Sequence, residues 1–482
     1  PYLYHNKSPF CAVKRKSYLN YDELQSLTFA GVDRLGEITR NLRDFDPHPP
    51  LHYVDLHYWL QFVGTSDTAV RLNPVFWSLV AIGALGVASA FFYNRNVALL
   101  TTLIFAVAPF AVYNAQLVRM YSLVICVAVF YWISTHLFIQ AERTRLLYGG
   151  AVFAFSGVLI NLQGAAFLAL FGMGIYVLLW TLKAMRERWR WLIVWGVCNI
   201  PAVLTYIGWT IYTGNAGLYS QPAPVTFDEL VNMATVLGFG THIVRFDLLP
   251  ILLAMVVLGI IIAGIYYEDT RDLTLSFLVA PFALAMLISA TYQNIWLPRA
   301  FTFVLPFLYL VMALHIHRMY QVTTQPIQRG GVVLALVALI TLMAGTSFYQ
   351  QTNTSDAYET IMETVDADIA EDDVFHIGHN RVFWGFAWYY IAPRSVNARL
   401  ARSYELEAGE NLPPLQAVDM NNLPEPQIGQ TYWLASRVNS LLAAYQEQYP
   451  DIAWDVEIVR DDLSTSIIFE RARPYVREEV EN

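Results

Sequence analysis

Ten stretches of this chain are strongly apolar, and most are long enough to cross a bilayer: 74–93, 97–115, 118–139, 147–161, 163–182, 190–212, 247–267, 272–291, 301–320 and 330–349. A hydrocarbon core takes ~20 apolar residues as helix. It offers no partner for an open backbone, so each such run must fold as a helix that satisfies its own peptide groups. The 147–161 run is short and contains glycine. Charged residues make up 14% of the chain, against about 25% in an average soluble protein. The sequence therefore predicts a polytopic α-helical membrane protein.

The charges that remain are unevenly placed. Alternate loops between the runs carry Arg95; Arg143 and Arg145; Lys183, Arg186, Arg188 and Arg190; Arg271; and Arg318 and Arg329. The opposite loops carry only Arg119, Arg245 and Arg299. By the positive-inside rule the first set is cytoplasmic and the second faces out. From residue 351 onward there are 23 acidic residues against 9 Arg and no Lys, a balance of −14. This acidic, soluble tail then lies outside the cytoplasm. Its patterning predicts a small α/β domain, with helices over 358–369 and 438–449 and strands at 374–377, 431–435, 456–459 and 464–469. Three parts result: 1–73, an external segment with juxtamembrane helices; 74–349, the membrane domain; and 350–482, the soluble domain. No basic groove suits a nucleic acid. Cys11, Cys126 and Cys198 are scattered and imply neither disulfides nor a metal framework.

Ahead of the spans lies the polar part of the chain. Lys14-Arg15-Lys16 reads as a solvated or membrane-surface contact. Tyr21-Asp22-Glu23 opens an amphipathic helix in which Leu24, Leu27, Gly31, Leu35, Ile38 and Leu42 share one side, as in a helix lying along the interface. Then comes a proline knot, Asp46-Pro47-His48-Pro49-Pro50-Leu51-His52-Tyr53. Proline fixes φ and removes a donor, so the knot is neither helix interior nor central strand. Pro49 or Pro50 instead starts a helix over Leu51–Val63, which is too short and too polar to span.

Four polar features gather on the outward side: Asp22-Glu23, Asp46 with His48, Arg119 with Tyr121, and Arg299 behind Pro298. Charges at membrane depth are costly and mark function. Carboxylates are suited to general-base and orienting roles, and arginines to holding a phosphate through charge-assisted hydrogen bonds. His48 and His52, four apart with Asp46 nearby, are an alternative ligand set for a divalent ion, although capping or hydrogen bonding explains His48 more simply. No cofactor is firmly predicted.

In this order the motifs resemble the GT-C glycosyltransferases, in their protein-mannosyltransferase-like and aminoarabinose-transferase-like branch. The motifs are Tyr21-Asp22-Glu23, Asp46-x-His48-Pro49-Pro50-Leu51-His52-Tyr53, Arg71-Leu72-Asn73-Pro74, Ala115-Gln-Leu-Val-Arg119-Met-Tyr121-Ser122 and Leu297-Pro298-Arg299-Ala300-Phe301. The resemblance covers roughly residues 17–320. It implies a membrane fold of about 10–11 helices. It also implies inverting transfer of a sugar from a polyprenyl-phosphate carrier to a protein, lipid or glycan acceptor on the non-cytoplasmic face of the cell membrane. By the same resemblance Asp22, with Glu23 beside it, is the catalytic base, and Asp46 and His48 are the second acidic motif. Arg119 and Arg299 contact the lipid phosphate; Tyr121 and, more weakly, Arg71 belong to the same donor side. Two departures stand out. The family's first helix is expected before residue 1. Asn161-Leu162-Gln163 also stands where many relatives have a His or aromatic pair. A transporter or flippase of lipid-linked sugars is the competing function, but it calls for broken helices with polar centres, whereas these spans are apolar at their centres. A polytopic scaffold with an acidic partner-binding domain is a third; it leaves the Asp22, Asp46, Arg119 and Arg299 set unexplained.

Overall fold

The structure is a computed structural model and describes residues 21–32, 34–46, 48–214, 222–240, 248–353, 370, 372–378, 405–406, 415–437, 440–462 and 467–476. Arg245 and the helix expected over 358–369 lie outside these residues. The chain divides into two compact units: Gln25–Thr354 with Asn397–Ala401, and the remainder, which includes the first turn of the first helix.

Among the described residues the larger unit is built of helices. Three short helices come first: α1 (Tyr21–Ala30), α2 (Leu35–Phe45) and α3 (Leu51–Val63). The long ones follow: α4 (Asp67–Phe92), α5 (Arg95–Val107), α6 (Pro109–Gln116), α7 (Tyr121–Gln140), α8 (Arg145–Ile160), α9 (Phe167–Leu182) and α10 (Met185–Tyr212). The unit continues with α11 (Phe227–Phe239), α12 (Leu249–Tyr266), α13 (Glu268–Leu273), α14 (Ala280–Thr291), α15 (Leu305–Val322) and α16 (Pro326–Asn353). Among the described residues eight helices are long and apolar enough to cross a membrane, or nine if α5 and α6 count as one bent span. All ten apolar runs are helical, the 147–161 run as the 16-residue α8, and the chain is a multi-pass membrane protein. The most apolar windows of α7 and α15 are 78% and 83% buried, while that of α16 is 11% buried. Similar hydropathy thus hides two positions, with α7 and α15 at the centre of the bundle and α16 exposed on its outside.

Three local features depart from the sequence expectation. The helix expected to run through Leu24 and Leu42 is broken into α1 and α2. The Ala30 carbonyl, which would accept the next helical bond, instead takes a hydrogen bond from His57 Nδ1 of α3 at 2.8 Å, and Gly31 lowers the cost of stopping there. The 97–115 run bends by 59° between α5 and α6. Pro109 has no N–H to give Phe105, and it forces Ala108 out of the helical region, to φ −64°, ψ 121°. Finally, α11 fills a stretch with no predicted span. It opens on a capping box, Thr226 to the Glu229 amide and Glu229 back to Thr226. One close approach then sets the packing of α9: between α13 and α14 the chain makes a π-helical turn over Thr274–Val279. A Cβ on Gly172 of α9 would lie 2.5 Å from the Ser276 carbonyl oxygen of this turn.

The smaller unit carries a six-stranded mixed sheet of β1 (Val374–Ile377), β2 (Glu405–Leu406), β3 (Leu415–Ala417), β4 (Tyr432–Arg437), β5 (Ile452–Asp462) and β6 (Ile467–Val476), in the order β2-β3-β1-β4-β6-β5. β1 runs parallel to β3 and β4; the other pairs are antiparallel. Helix α17 (Leu441–Gln448) packs on it through Leu441, Leu442 and Tyr445. The predicted strands at 374–377, 431–435 and 456–459 are present as β1, β4 and part of β5; the described part of the 464–469 prediction, 467–469, opens β6, and that of the 438–449 helix is α17, while 438–439 and 464–466 lie outside the described residues. β2 and β3, on either side of Pro413-Pro414, fall outside the predicted strands.

Candidate active site

The proline knot folds as a compact carboxylate cage. Asp46 ends α2 and is 4% exposed. Its Oδ1 accepts from the His48 amide at 3.0 Å and from His48 Nδ1; its Oδ2 accepts from the Tyr53 hydroxyl at 3.1 Å. Pro50 lets α3 begin at once, so Tyr53 lies in its first turn and reaches back to Asp46. Burial alone would raise the Asp46 pKa, but the charge and hydrogen bonds of His48, with the charge of Arg119, outweigh it and hold the carboxyl well below the usual range. The Tyr53 hydroxyl is pushed up by burial and by the Asp46 charge.

Arg119 approaches from the short link between α6 and α7. It is 4% exposed, and its Nη1 donates to the Ser26 hydroxyl of α1 at 3.1 Å. The Ser122 hydroxyl, in the first turn of α7, donates to the Asn114 carbonyl at 3.0 Å and steadies the link. Tyr121 opens α7 and is buried. His52, 1% exposed, sits between these charges. Burial first, then the Arg119 and His48 charges, lower its pKa to about 3, against the opposing Asp46 charge. His52 is therefore a neutral imidazole inside a charged cluster.

Two further contacts place α3. His57 donates from Nδ1 to the Ala30 carbonyl at 2.8 Å, and its Nε2 meets Gln61 Nε2 at 2.8 Å. The half-buried Asp55 accepts at Oδ2 from Asn73 at 2.9 Å and from the Trp77 indole at 3.1 Å, which fastens α3 to the first turns of α4. Arg71, half-buried, is on that stretch of α4.

Arg299 enters by a different route. Pro298–Val304 is a 3-10 turn leading into α15, with Ala300, Phe301 and Phe303 buried and Arg299 exposed. The turn between α8 and α9 ties it to the knot: the Asn161 carbonyl accepts from the Leu51 amide at 3.1 Å, and Gln163 Nε2 donates to the Arg299 carbonyl at 3.0 Å. Asp46, His48, Arg119 and Arg299 are thus joined at one end of the helical bundle, together with Ser26, His52, Tyr53, Asn161 and Gln163. Of this second group His52 and Tyr53 belonged to a recognised motif; Ser26, Asn161 and Gln163 act through tertiary hydrogen bonds that no local pattern announces. Asp22 and Glu23 occupy the first turn of α1, and Glu23 is buried.

Two apolar clefts open near this end. One, of about 480 Å³, runs from Pro50, Leu51 and Val54 past Asn161 to Pro201 and Thr205. The other, of about 340 Å³, is walled by α11, α12 and α14, with Trp296 and Val304 on either side of the Arg299 turn. Among the described residues no three His, Cys, Asp or Glu side chains group as metal ligands, and the His48 Nδ1 of the alternative metal set is spent on Asp46.

No family model and no curated protein matches the chain in sequence. Among solved structures it is similar to ArnT from Cupriavidus metallidurans in the apo state, at 12% identity and a TM-score of 0.51, over 94% of this chain and 97% of that one. It is likewise similar to ArnT bound to undecaprenyl phosphate, at 13% identity and a TM-score of 0.50, over 93% and 95% of the two chains.

Proposed function

We propose that this chain, which has the GT-C fold, is an integral membrane glycosyltransferase. It takes a sugar from a polyprenyl-phosphate donor and passes it, with inversion, to an acceptor hydroxyl at the extracytoplasmic face. The observation that carries this reading is the cluster of buried Asp46, Tyr53 and Arg119 with the half-exposed His48, joined through the Asn161–Gln163 turn to an exposed arginine beside an apolar cleft. A lipid phosphate needs such a pairing of a cation with an apolar channel. ArnT, whose fold this chain shares, has been seen with undecaprenyl phosphate.

The roles divide by environment. A general base works best with a pKa near the working pH. Asp46, saturated with donors and held ionised, suits an orienting charge instead; Asp22 takes the part of base that the family resemblance implies for it. Arg299, exposed, takes the donor phosphate directly, with Tyr121 and Arg71 on the same donor side. Arg119 backs it from inside as the counter-charge to Asp46. The cleft beside the Arg299 turn receives the prenyl chain. In the reaction the acceptor oxygen forms a bond to the anomeric carbon and the carbon–oxygen bond to the phosphate breaks. Asp22 takes the acceptor proton, and polyprenyl phosphate leaves with both electrons of the broken bond. His48 stands beside Asp46 as its hydrogen-bond partner. The test is transfer in membranes from a panel of radiolabelled polyprenyl-phosphate sugars: label must move from at least one donor into an acceptor fraction, and the proposal fails if none is consumed.

A further inference from the structure

We propose that Gln163 is a positioning residue that holds Arg299 at the donor phosphate; this rests on the glycosyltransferase reading above. The backbone bonds of the Arg299 turn include local ones, such as Ala300 to Leu297 and Leu297 to Ile295, both at 2.9 Å. Bonds of this kind shape a turn but do not fix where it sits. The bond from Gln163 Nε2 to the Arg299 carbonyl spans 136 residues of chain and does fix it. The far side of the strap is itself anchored. Leu162 is fully buried, the Asn161 carbonyl holds the start of α3, and the Asn161 side-chain Nδ2 donates to the Gly157 carbonyl at 2.8 Å and to the Thr205 hydroxyl at 3.2 Å. Three consecutive residues therefore set the distance between the knot carrying Asp46 and the turn carrying Arg299. A bound phosphate senses that distance, because charge-assisted hydrogen bonds are sharply geometric.

The side chain suits the task. Gln163 is 6% exposed, and a carboxamide supplies a neutral donor to a carbonyl without importing charge. Its Oε1 is buried with no partner among the described residues, so Gln163→Met, which keeps the length and removes both polar atoms, should fold.

The test uses the full chain in detergent with undecaprenyl phosphate as the probe. Gln163→Met is made in the wild-type and in the Arg299→Ala background, alongside hydrogen exchange of the 298–304 peptide. In the wild-type background the dissociation constant should rise roughly three- to tenfold, the loss of one neutral hydrogen bond. In the Arg299→Ala background it should not change, because a residue acting through Arg299 has nothing left to place. Exchange at 298–304 should rise with the thermal transition unmoved. Unchanged exchange, or the same loss of affinity in both backgrounds, overturns the proposal. Faster exchange in Gln163→Met, in a chain whose wild type does not bind undecaprenyl phosphate, would show an intact strap with no donor to serve. That outcome overturns the donor reading and, with it, the positioning role of Gln163.

Discussion

Acid should loosen this protein through His52 before it touches the carboxylates. In the folded chain His52 is buried and its pKa lies at about 3, first through burial and then through Arg119 and His48; unfolded, it returns to about 6.5. Between these values the unfolded chain binds the extra proton, so stability is full above pH 6.5 and falls as pH is lowered toward 3. From pH 7 to pH 5 the cost is about 2 kcal/mol. The Asp46 pKa is also depressed in the fold, but its loss begins only below the unfolded carboxylate value of about 4, so at pH 5 that carboxylate does not yet contribute, and the comparison with a variant lacking the imidazole reads out the His52 share. His52→Phe keeps a ring against Tyr53, whose own ring centroid is 5.3 Å away, and cannot titrate. Thermal or denaturant unfolding of purified protein at pH 7 and pH 5 should show the acid loss in the wild type and about 2 kcal/mol less of it in His52→Phe. An equal acid loss in both proteins would refute the claim that His52 is buried as a neutral base.

Three other outcomes follow from the geometry. Asp46→Asn should cost about 2–4 kcal/mol in the same unfolding assay, because it removes an ionised acceptor of three hydrogen bonds and leaves the Arg119 charge without its carboxylate. Gly172→Ala, which sets a methyl 2.5 Å from the Ser276 carbonyl, should cost about 1–3 kcal/mol, whereas Gly150→Ala, with open space around it, should be near neutral. In a cysteine-free background of intact cells, an impermeant thiol reagent should label Gln427→Cys and spare Glu142→Cys and Arg186→Cys, all three exposed positions; the reverse pattern would put the acidic motifs in the cytoplasm.

The spans were legible because a bilayer imposes length and apolarity on each helix separately, and composition alone reports both. The proline knot was legible because proline dictates backbone locally, and the turn it predicted is the one that closes Asp46 onto His48 and Tyr53. What escaped notice was set by partners far along the chain. Nothing between Leu24 and Leu42 says that His57 will claim the Ala30 carbonyl and end the helix there. Nothing near Asn161 says that Gln163 will reach a residue 136 positions later; the departure from the family pattern at this turn was visible, its use was not. By contrast, α11 carried a readable sign in Thr226 and Glu229, and Pro109 announced its own kink; periodicity read over longer windows passes over both. The soluble unit was read through its hydrophobic strands, and the short β2 and β3 beside the paired prolines are too brief to carry an alternating pattern.

The proposal that the chain transfers a sugar with Asp22 as the base is tested most directly by single-turnover transfer from a radiolabelled polyprenyl-phosphate sugar, comparing wild type with Asp22→Asn. The account predicts a fall in rate of ~10²-fold or more with donor affinity retained, since the amide keeps the shape of the side chain and loses only its basicity. Transfer by Asp22→Asn at the wild-type rate would contradict it.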